Sequence, residues 1–382
     1  MQELYDLSPL ARLMFFGVVL AAGPLVWVMY QHRHTPQRRY QALMLLTLFL
    51  TFDLVLFGAF TRLSDSGLGC PDWPGCYGKA SPIGAHASIA EAQNAMPTGP
   101  VTHGKAWVEM IHRYLATSVG VLILVLAGGG WWTRWRHGKS ARLNPWWPTL
   151  TLLWVCIQGA FGALTVTMKL FPAIVTLHLL GGLTLLALLC VQVVQLAQRE
   201  SGAPSLRVSA GLRWLSGLAF VLLVLQITLG GWVSTNYAVL ACTDFPMCQG
   251  TWWPAMNFQQ GFDVWRPLGL TPTGEPIGFA ALTAIHYVHR LMAGVVLVLL
   301  GVLAWRLNRV PALRTPSRWL AVLTGLQLIT GLSNVLLDWP LLAAVLHTGG
   351  AGALVMVMTW VVVASRSRAP VFFQPTATRV PA

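Results

Sequence analysis

Charge is what this chain has least of. Of its 382 residues only 10% are charged, just 12 of them acidic, while 55% are hydrophobic. Soluble domains carry roughly a quarter charged residues, so a water-soluble globular protein is excluded and a polytopic membrane protein is indicated. The net charge of +13 would suit nucleic acid in a soluble protein, but no basic stretch interleaved with aromatics accompanies it, and no nucleic-acid partner is expected. The first apolar segment lacks the basic n-region and small-residue cleavage site of a signal peptide and is too long for one, so it reads as a retained helix. An Arg/Ser-rich amphipathic transit pattern is missing as well. Cysteine is scarce: there are six, and four of them sit in two short turns.

What the chain has instead is nine apolar stretches, near 9–30, 41–62, 106–131, 146–168, 172–197, 211–234, 280–305, 317–337 and 341–364. Each is long enough for a hydrocarbon core that takes about 20 helical residues. Segments 31–40, 133–145, 198–213, 306–318 and the tail after 364 hold 17 of the 25 Lys and Arg residues. The positive-inside rule makes these segments cytoplasmic, which puts the N-terminus and two long loops, 63–105 and 235–279, on the outer side. In a bacterium that side is the periplasm, where disulfides persist. The expected location is the bacterial inner membrane, with a cytoplasmic C-terminus.

An internal repeat organises the spans. GAFTRLSDSGLGCPDWPGCYG (58–78) aligns without a gap on GGWVSTNYAVLACTDFPMCQG (230–250), VEMIHR (108–113) on IHYVHR (285–290), and QGAFGALTV…LHLLGG (158–182) on QLITGLSNV…LHTGGA (327–351). The expected fold is all-α: two parallel-repeated four-helix transmembrane bundles, over 41–200 and 201–365. An extra N-terminal helix and basic loop (1–40) precede them, and a cytoplasmic tail (366–382) follows.

His112, His178, His289 and His347 lie inside predicted spans, about 9 to 14 Å from the outer ends at ~1.5 Å per residue. Each half thus carries one histidine on its second helix and one on its fourth, at nearly one level. Ionisable groups within spans are disfavoured unless they have a task, and facing imidazoles in a bundle core hold haem iron axially. A single such histidine reads as a hydrogen-bonded core residue, and it is the pairing by repeat and depth that points to ligation. Zinc fits poorly, since no thiolate or carboxylate completes a four-ligand set at both sites. The Gly pairs at 181–182 and 349–350 would admit a flat macrocycle or serve close helix packing.

The halves differ at one chemical position. Glu109 and His112 form E-x-x-H on one helix face, whereas the second half has His286 in place of the glutamate. That asymmetry indicates one catalytic site and one electron-relay site. Arg113 and Arg290, each following a histidine, are candidates for haem propionates or for interface anchoring. Each cysteine pair, Cys70/Cys76 and Cys242/Cys248, encloses five residues with turn-forming Pro, close enough for a disulfide spanning ~4.4–6.8 Å between Cα atoms. Such a bond reads as a staple over each site, with thiol exchange at the first pair, or a zinc site shared between loops, as alternatives. Cys156 and Cys190 read as packing residues.

These residues resemble a known family. TRLSDSGLGCPDWPGC, VTHGKAWVEMIHR, the His of LHLLGG, the HR of IHYVHR and the His of LHTGGAG are together similar to haem A synthases, over roughly residues 41 to 364. The resemblance implies an eight-helix core and oxidation of the C8 methyl of haem O to the formyl group of haem A, by successive hydroxylations with water as oxygen source. It implies a haem b cofactor on His289 and His347, haem O flanked by His112 and His178, and a required glutamate at Glu109. Haem O synthase and cytochrome oxidase assembly factors are the implied partners, within membrane lipid, and the sequence leaves monomer and homo-oligomer both open. The helix at 9–30 departs from the pattern, and His286 is left unassigned beyond a tuning role. Two rivals use the same histidines: a di-haem b-type cytochrome for quinone-linked electron transfer, which gives Glu109 no chemical task, and a haem transporter or chaperone.

Overall fold

The computed structural model describes residues 8–138, 144–201, 206 and 208–365. The predicted tail 366–382, and parts of two basic loops, lie outside the described residues. In chain order the helices are α1 (Ser8–Gln31), α2 (Pro36–Leu63), α3 (His86–Ala95), α4 (His103–His137), α5 (Trp146–Thr167), α6 (Pro172–Ser201), α7 (Ala210–Thr235), α8 (Phe258–Gly261), α9 (Phe279–Asn308), α10 (Arg314–Leu336) and α11 (Leu341–Ser365). Among the described residues nine of them are long and apolar enough to cross a membrane, and they coincide with the nine predicted stretches. In lipid every backbone polar group must be satisfied internally, and helices do this. Buried hydroxyls follow the same rule: Thr47 and Thr51 donate to the carbonyls of Leu43 and Thr47, 2.7 and 2.6 Å away, as in-helix Ser and Thr commonly do.

The repeat is visible in the packing. In the first half α2 packs on α4, α4 on α5 and α5 on α6; in the second α7 packs on α9, α9 on α10 and α10 on α11. The halves meet where α6 packs on its own counterpart α11, with α2 against α11 and α6 against α7 on either side. At the cysteine-turn end, Arg62 Nη2 donates to Ser234 O (2.6 Å) and Tyr237 Oη to Asp65 Oδ1 (2.5 Å). Both pairs are 172 residues apart, the repeat offset itself, so each contact joins a position to its own copy.

The backbone repeats even where side chains do not. Left-handed residues follow α2 (Asp65), α5 (Lys169, Leu170), α7 (Tyr237) and α10 (Asp338, Trp339). None is the glycine that such helix ends favour.

The first helix lies outside the repeat and packs mainly on α4. Gly17 abuts Thr117 with no room for a Cβ, Phe16 meets the Tyr114 ring at 5.3 Å, and Leu13 joins the buried cluster of Cys70, Cys76, Ile89 and Met110. Tyr114 in turn bonds the Ala80 carbonyl of the first long loop. This helix therefore braces the helix and loop around His112. Gly17→Leu overpacks that contact and should cost about 1–3 kcal/mol, read as a lowered thermal unfolding midpoint in detergent. An unchanged midpoint would show that the contact contributes nothing.

Candidate functional site

Each cysteine turn is a closed loop built in the same way. Cys70–Cys76 and Cys242–Cys248 are disulfide-bonded, with Cα atoms 4.9 and 4.8 Å apart. Asp72 accepts the N–H groups of Tyr77 (2.6 Å) and Gly78 (2.7 Å), and Asp244 those of Gln249 (2.7 Å) and Gly250 (2.9 Å). Gly78 and Gly250 take φ of +67° and +71°, conformations open to glycine. The Gly250 N–H, foremost among its partners, holds the Asp244 carboxyl below the usual carboxylate range. These aspartates shape the turns, a role that sequence reasoning did not assign although both copies carry Asp at the same place.

Beneath each turn lies an arginine. Arg113 donates to the carbonyls of Asp72, Pro74 and Gly75. Arg290 donates to those of Asp244 (2.7 Å), Met247 (3.1 Å) and Cys242 (2.5 Å). The structure thus engages both propionate candidates with turn backbone.

The residues one turn before them differ in kind. Glu109, 4% exposed, pairs through Oε1 with Arg113 and accepts the Cys70 N–H on Oε2 at 2.7 Å. His286 takes the same place under Arg290: Nε2 accepts from Arg290 Nε (3.1 Å) and Nδ1 donates to Ala238 O (2.9 Å). That fixes His286 as a neutral imidazole turned to the loop, a role unreadable from sequence. Gly69 explains how the first half adds a bond from a turn amide to the carboxylate on α4. A Cβ there would collide with the Lys105 backbone, so the turn reaches α4 closely enough for Cys70 N–H to meet Glu109. The second half has Ala241 instead.

The four histidines face the interior in two pairs. His112 and His178 lie close enough to interact electrostatically, as do His289 and His347. All four residues are only partly buried and sit on spanning helices. Each faces a glycine on the preceding span. A Cβ on Gly58 would come within 3.0 Å of His112 Nε2, on Gly162 within 3.5 Å of His178 Cε1, on Gly230 within 2.9 Å of His289 Cε1, and on Gly331 within 3.3 Å of His347 Cε1. Gly58 aligns with Gly230 and Gly162 with Gly331, so the signal was in the repeat itself. The Gly pairs singled out by sequence pack instead: Gly181 meets Gln158, Gly349 meets Leu56 and Gly350 meets Gln327.

The pairs are buttressed unequally. Thr330 Oγ1 donates to Leu326 O (2.8 Å) and so accepts His347 Nδ1–H (2.9 Å), which leaves the lone pair on Nε2. Gln226 contacts His289 Nδ1 at 3.0 Å and donates to His289 O at 3.2 Å. The Thr330 bond is of the kind that orients an imidazole for iron, and Gln226 holds the His289 ring and backbone through its amide nitrogen. The first half has apolar Phe161 and Leu54 at these positions, and His178 Nδ1 is buried without a partner. Among the described residues no group of three or more His, Cys, Asp or Glu side chains could hold a metal ion. Two imidazoles per half, with a glycine opposite each, suit a planar macrocycle that brings its own four equatorial ligands.

Fold and site together define a duplicated membrane bundle with one intramembrane histidine pair per half. The sequence profile of the cytochrome oxidase assembly protein family matches residues 15–359, and the chain belongs to that family. The match reaches back into α1, further than the resemblance at 41–364. The heme A synthase of Shewanella oneidensis is 39% identical over 318 residues, covering 83% of this chain and 93% of the relative. That of Halalkalibacterium halodurans is 27% identical, covering 83% and 94%. That of Cereibacter sphaeroides is 29% identical, covering 86% and 88%.

With both turns closed, the free thiols are Cys156 and Cys190. Alkylation of the denatured, unreduced protein should label these two alone. Label at Cys70 or Cys242 before reduction would show an open turn.

Proposed function

We propose that the chain is an oxidoreductase of haem A biosynthesis, which binds haem O between His112 and His178 and oxidises its C8 methyl to the formyl group of haem A. The relatives' name supports the overall reaction. The observation that carries the division of labour is the unequal buttressing: a resident cofactor is served by fixed imidazoles, and an exchanging substrate by looser ones. His289 and His347 accordingly hold haem b, which when bound relays electrons one at a time toward an acceptor. In balance, the methyl group and one water give the formyl group, four protons and four electrons, through successive hydroxylations with water as oxygen source.

The protons need an acceptor. Glu109 is one turn from His112, and its two hydrogen bonds occupy only part of the roughly four lone-pair positions of a carboxylate. It takes protons toward the cysteine-turn end, and Arg113 balances its charge between transfers. The basic segments support an outer position for that end, and on this reading protons leave toward the periplasm. Membrane lipid, a haem O synthase and cytochrome oxidase assembly factors remain the partners of this reading, in a monomer or a homo-oligomer. A di-haem electron carrier would use the histidines as well, but leaves unequal buttressing and the Glu109/His286 exchange without purpose.

His289→Ala and His347→Ala should each abolish or convert a six-coordinate, low-spin haem b spectrum, because an axial imidazole is lost. A wild-type spectrum in both would overturn the assignment.

Glu109→Gln keeps the size and hydrogen-bonding reach of the side chain but not its basicity. Haem extracted from cells carrying this variant should be haem O or a partly oxidised form, with turnover down by about 10²-fold or more and haem b retained. Near-normal haem A would remove Glu109 from the mechanism, and loss of haem b along with activity would make it a purely structural anchor of the turn.

A further inference from the structure

Two glutamines of the first half, Gln158 and Gln192, bury an Oε1 with no hydrogen-bond partner, and Gln192 is held through its Nε2 by Thr151 and Leu188. Gln158, on α5, is 8% exposed. Buried polar atoms are satisfied in the great majority of cases, and an exception calls for a reason. The residue lies four positions before Gly162, the glycine that faces His178, so it occupies the same helix face one turn, about 6 Å, away. Across from it, its amide presses on Gly181, three residues beyond His178 on α6. Gln158 therefore borders the space that the His112/His178 pair faces, on the side away from the cysteine turn.

The repeat supplies a control. Gln327, the aligned residue, presses on Gly350 in the same way but donates its Nε2 to His347 O at 3.0 Å, and its oxygen is not among the fully buried atoms that lack a partner. Gln226 Oε1 and Asn334 Oδ1, in the second half, are also buried without partners, but neither has a glutamine or asparagine at its aligned position. At the matched glutamine, the orphaned acceptor is peculiar to the half that handles substrate.

Resting on the reading above, the two haems differ in chemistry where the two glutamines differ. Haem O carries a hydroxyethylfarnesyl chain, with a secondary alcohol next to the ring, where haem b carries a vinyl group. We propose that Gln158 is a specificity-determining residue, whose Oε1 accepts a hydrogen bond from the hydroxyl of the hydroxyethylfarnesyl chain of the substrate. A site built to bond a substrate hydroxyl rejects the analogue lacking it, because its buried acceptor is then left unpaired. The second half, whose glutamine is already engaged with its own helix partner, has no such demand and accepts the vinyl-bearing haem.

The test is a ligand titration of purified, haem b-loaded protein, followed by the absorbance change at the first site, with haem O and with dehydrated haem O. The dehydrated form keeps the chain and lacks the hydroxyl. Wild type should bind haem O about tenfold more tightly. Gln158→Leu should lose that preference while binding dehydrated haem O at least as well as wild type does. Retention of the preference in the variant would overturn the proposal. Equal weakening of both ligands would overturn it too, by making Gln158 a partner of His178 Nδ1 instead. An intact haem b spectrum certifies the fold, and Gln158→Met, closer in shape, is read by the same ratio should Leu disturb it. Failure of wild type to bind either ligand at this site would instead remove the substrate assignment of the first half.

Discussion

A guanidinium tucked under a ring of backbone carbonyls ties each cysteine turn to the helix that carries the first histidine of its half. Arg113 and Arg290 perform this task in the two halves. The disulfide and the aspartate cage shape the turn from within, so the arginine meets a preformed set of acceptors. Without it, several carbonyls and a buried charge would lose their partners together, a loss far larger than that of one surface contact. The levels of His112 and His289 depend on this anchor, since each lies one residue before its arginine.

On that shared frame the halves have diverged by small steps whose physical effects are large. Gly69 in place of Ala241 lets a turn amide reach α4. Glu109 in place of His286 exchanges a neutral acceptor for an anion beneath the same arginine. Thr330 and Gln226 in place of Phe161 and Leu54 fix the rings of the second pair. The same helix pairs pack in both halves. These changes alter which atoms can donate or accept at a fixed position, and so how firmly a ligand is held and where a proton can go.

Spans, duplication and histidine pairing were legible in the sequence because each rests on a property that survives without coordinates: apolar length, alignment and depth along a helix. The four glycines opposite the histidines were equally present in the aligned segments, but a glycine says nothing of its neighbour until two helices are placed side by side. The carbonyl partners of the arginines were not legible for a related reason. Their pattern next to histidine suits a carboxylate ligand, whereas tertiary packing gave them carbonyl partners from loops 38 to 48 residues away in sequence. The left-handed helix ends at Lys169, Leu170, Asp338 and Trp339 carried no glycine to mark them. His286 could be assigned only once Ala238 and Arg290 were seen on either side of its ring.

The contacts of Arg62 with Ser234 and of Asp65 with Tyr237 join positions to their own copies. A residue that meets its counterpart marks an isologous interface, the kind that closes a homodimer. The two halves are thus packed as a dimer whose subunits share one chain. In a true homodimer a change made at one site is made at both, and the surroundings of one histidine pair could not differ from those of the other. Covalent fusion lifts that restriction: Glu109, Gly69 and the apolar Phe161 each occur once per molecule, and the symmetry that built the bundle no longer dictates its chemistry.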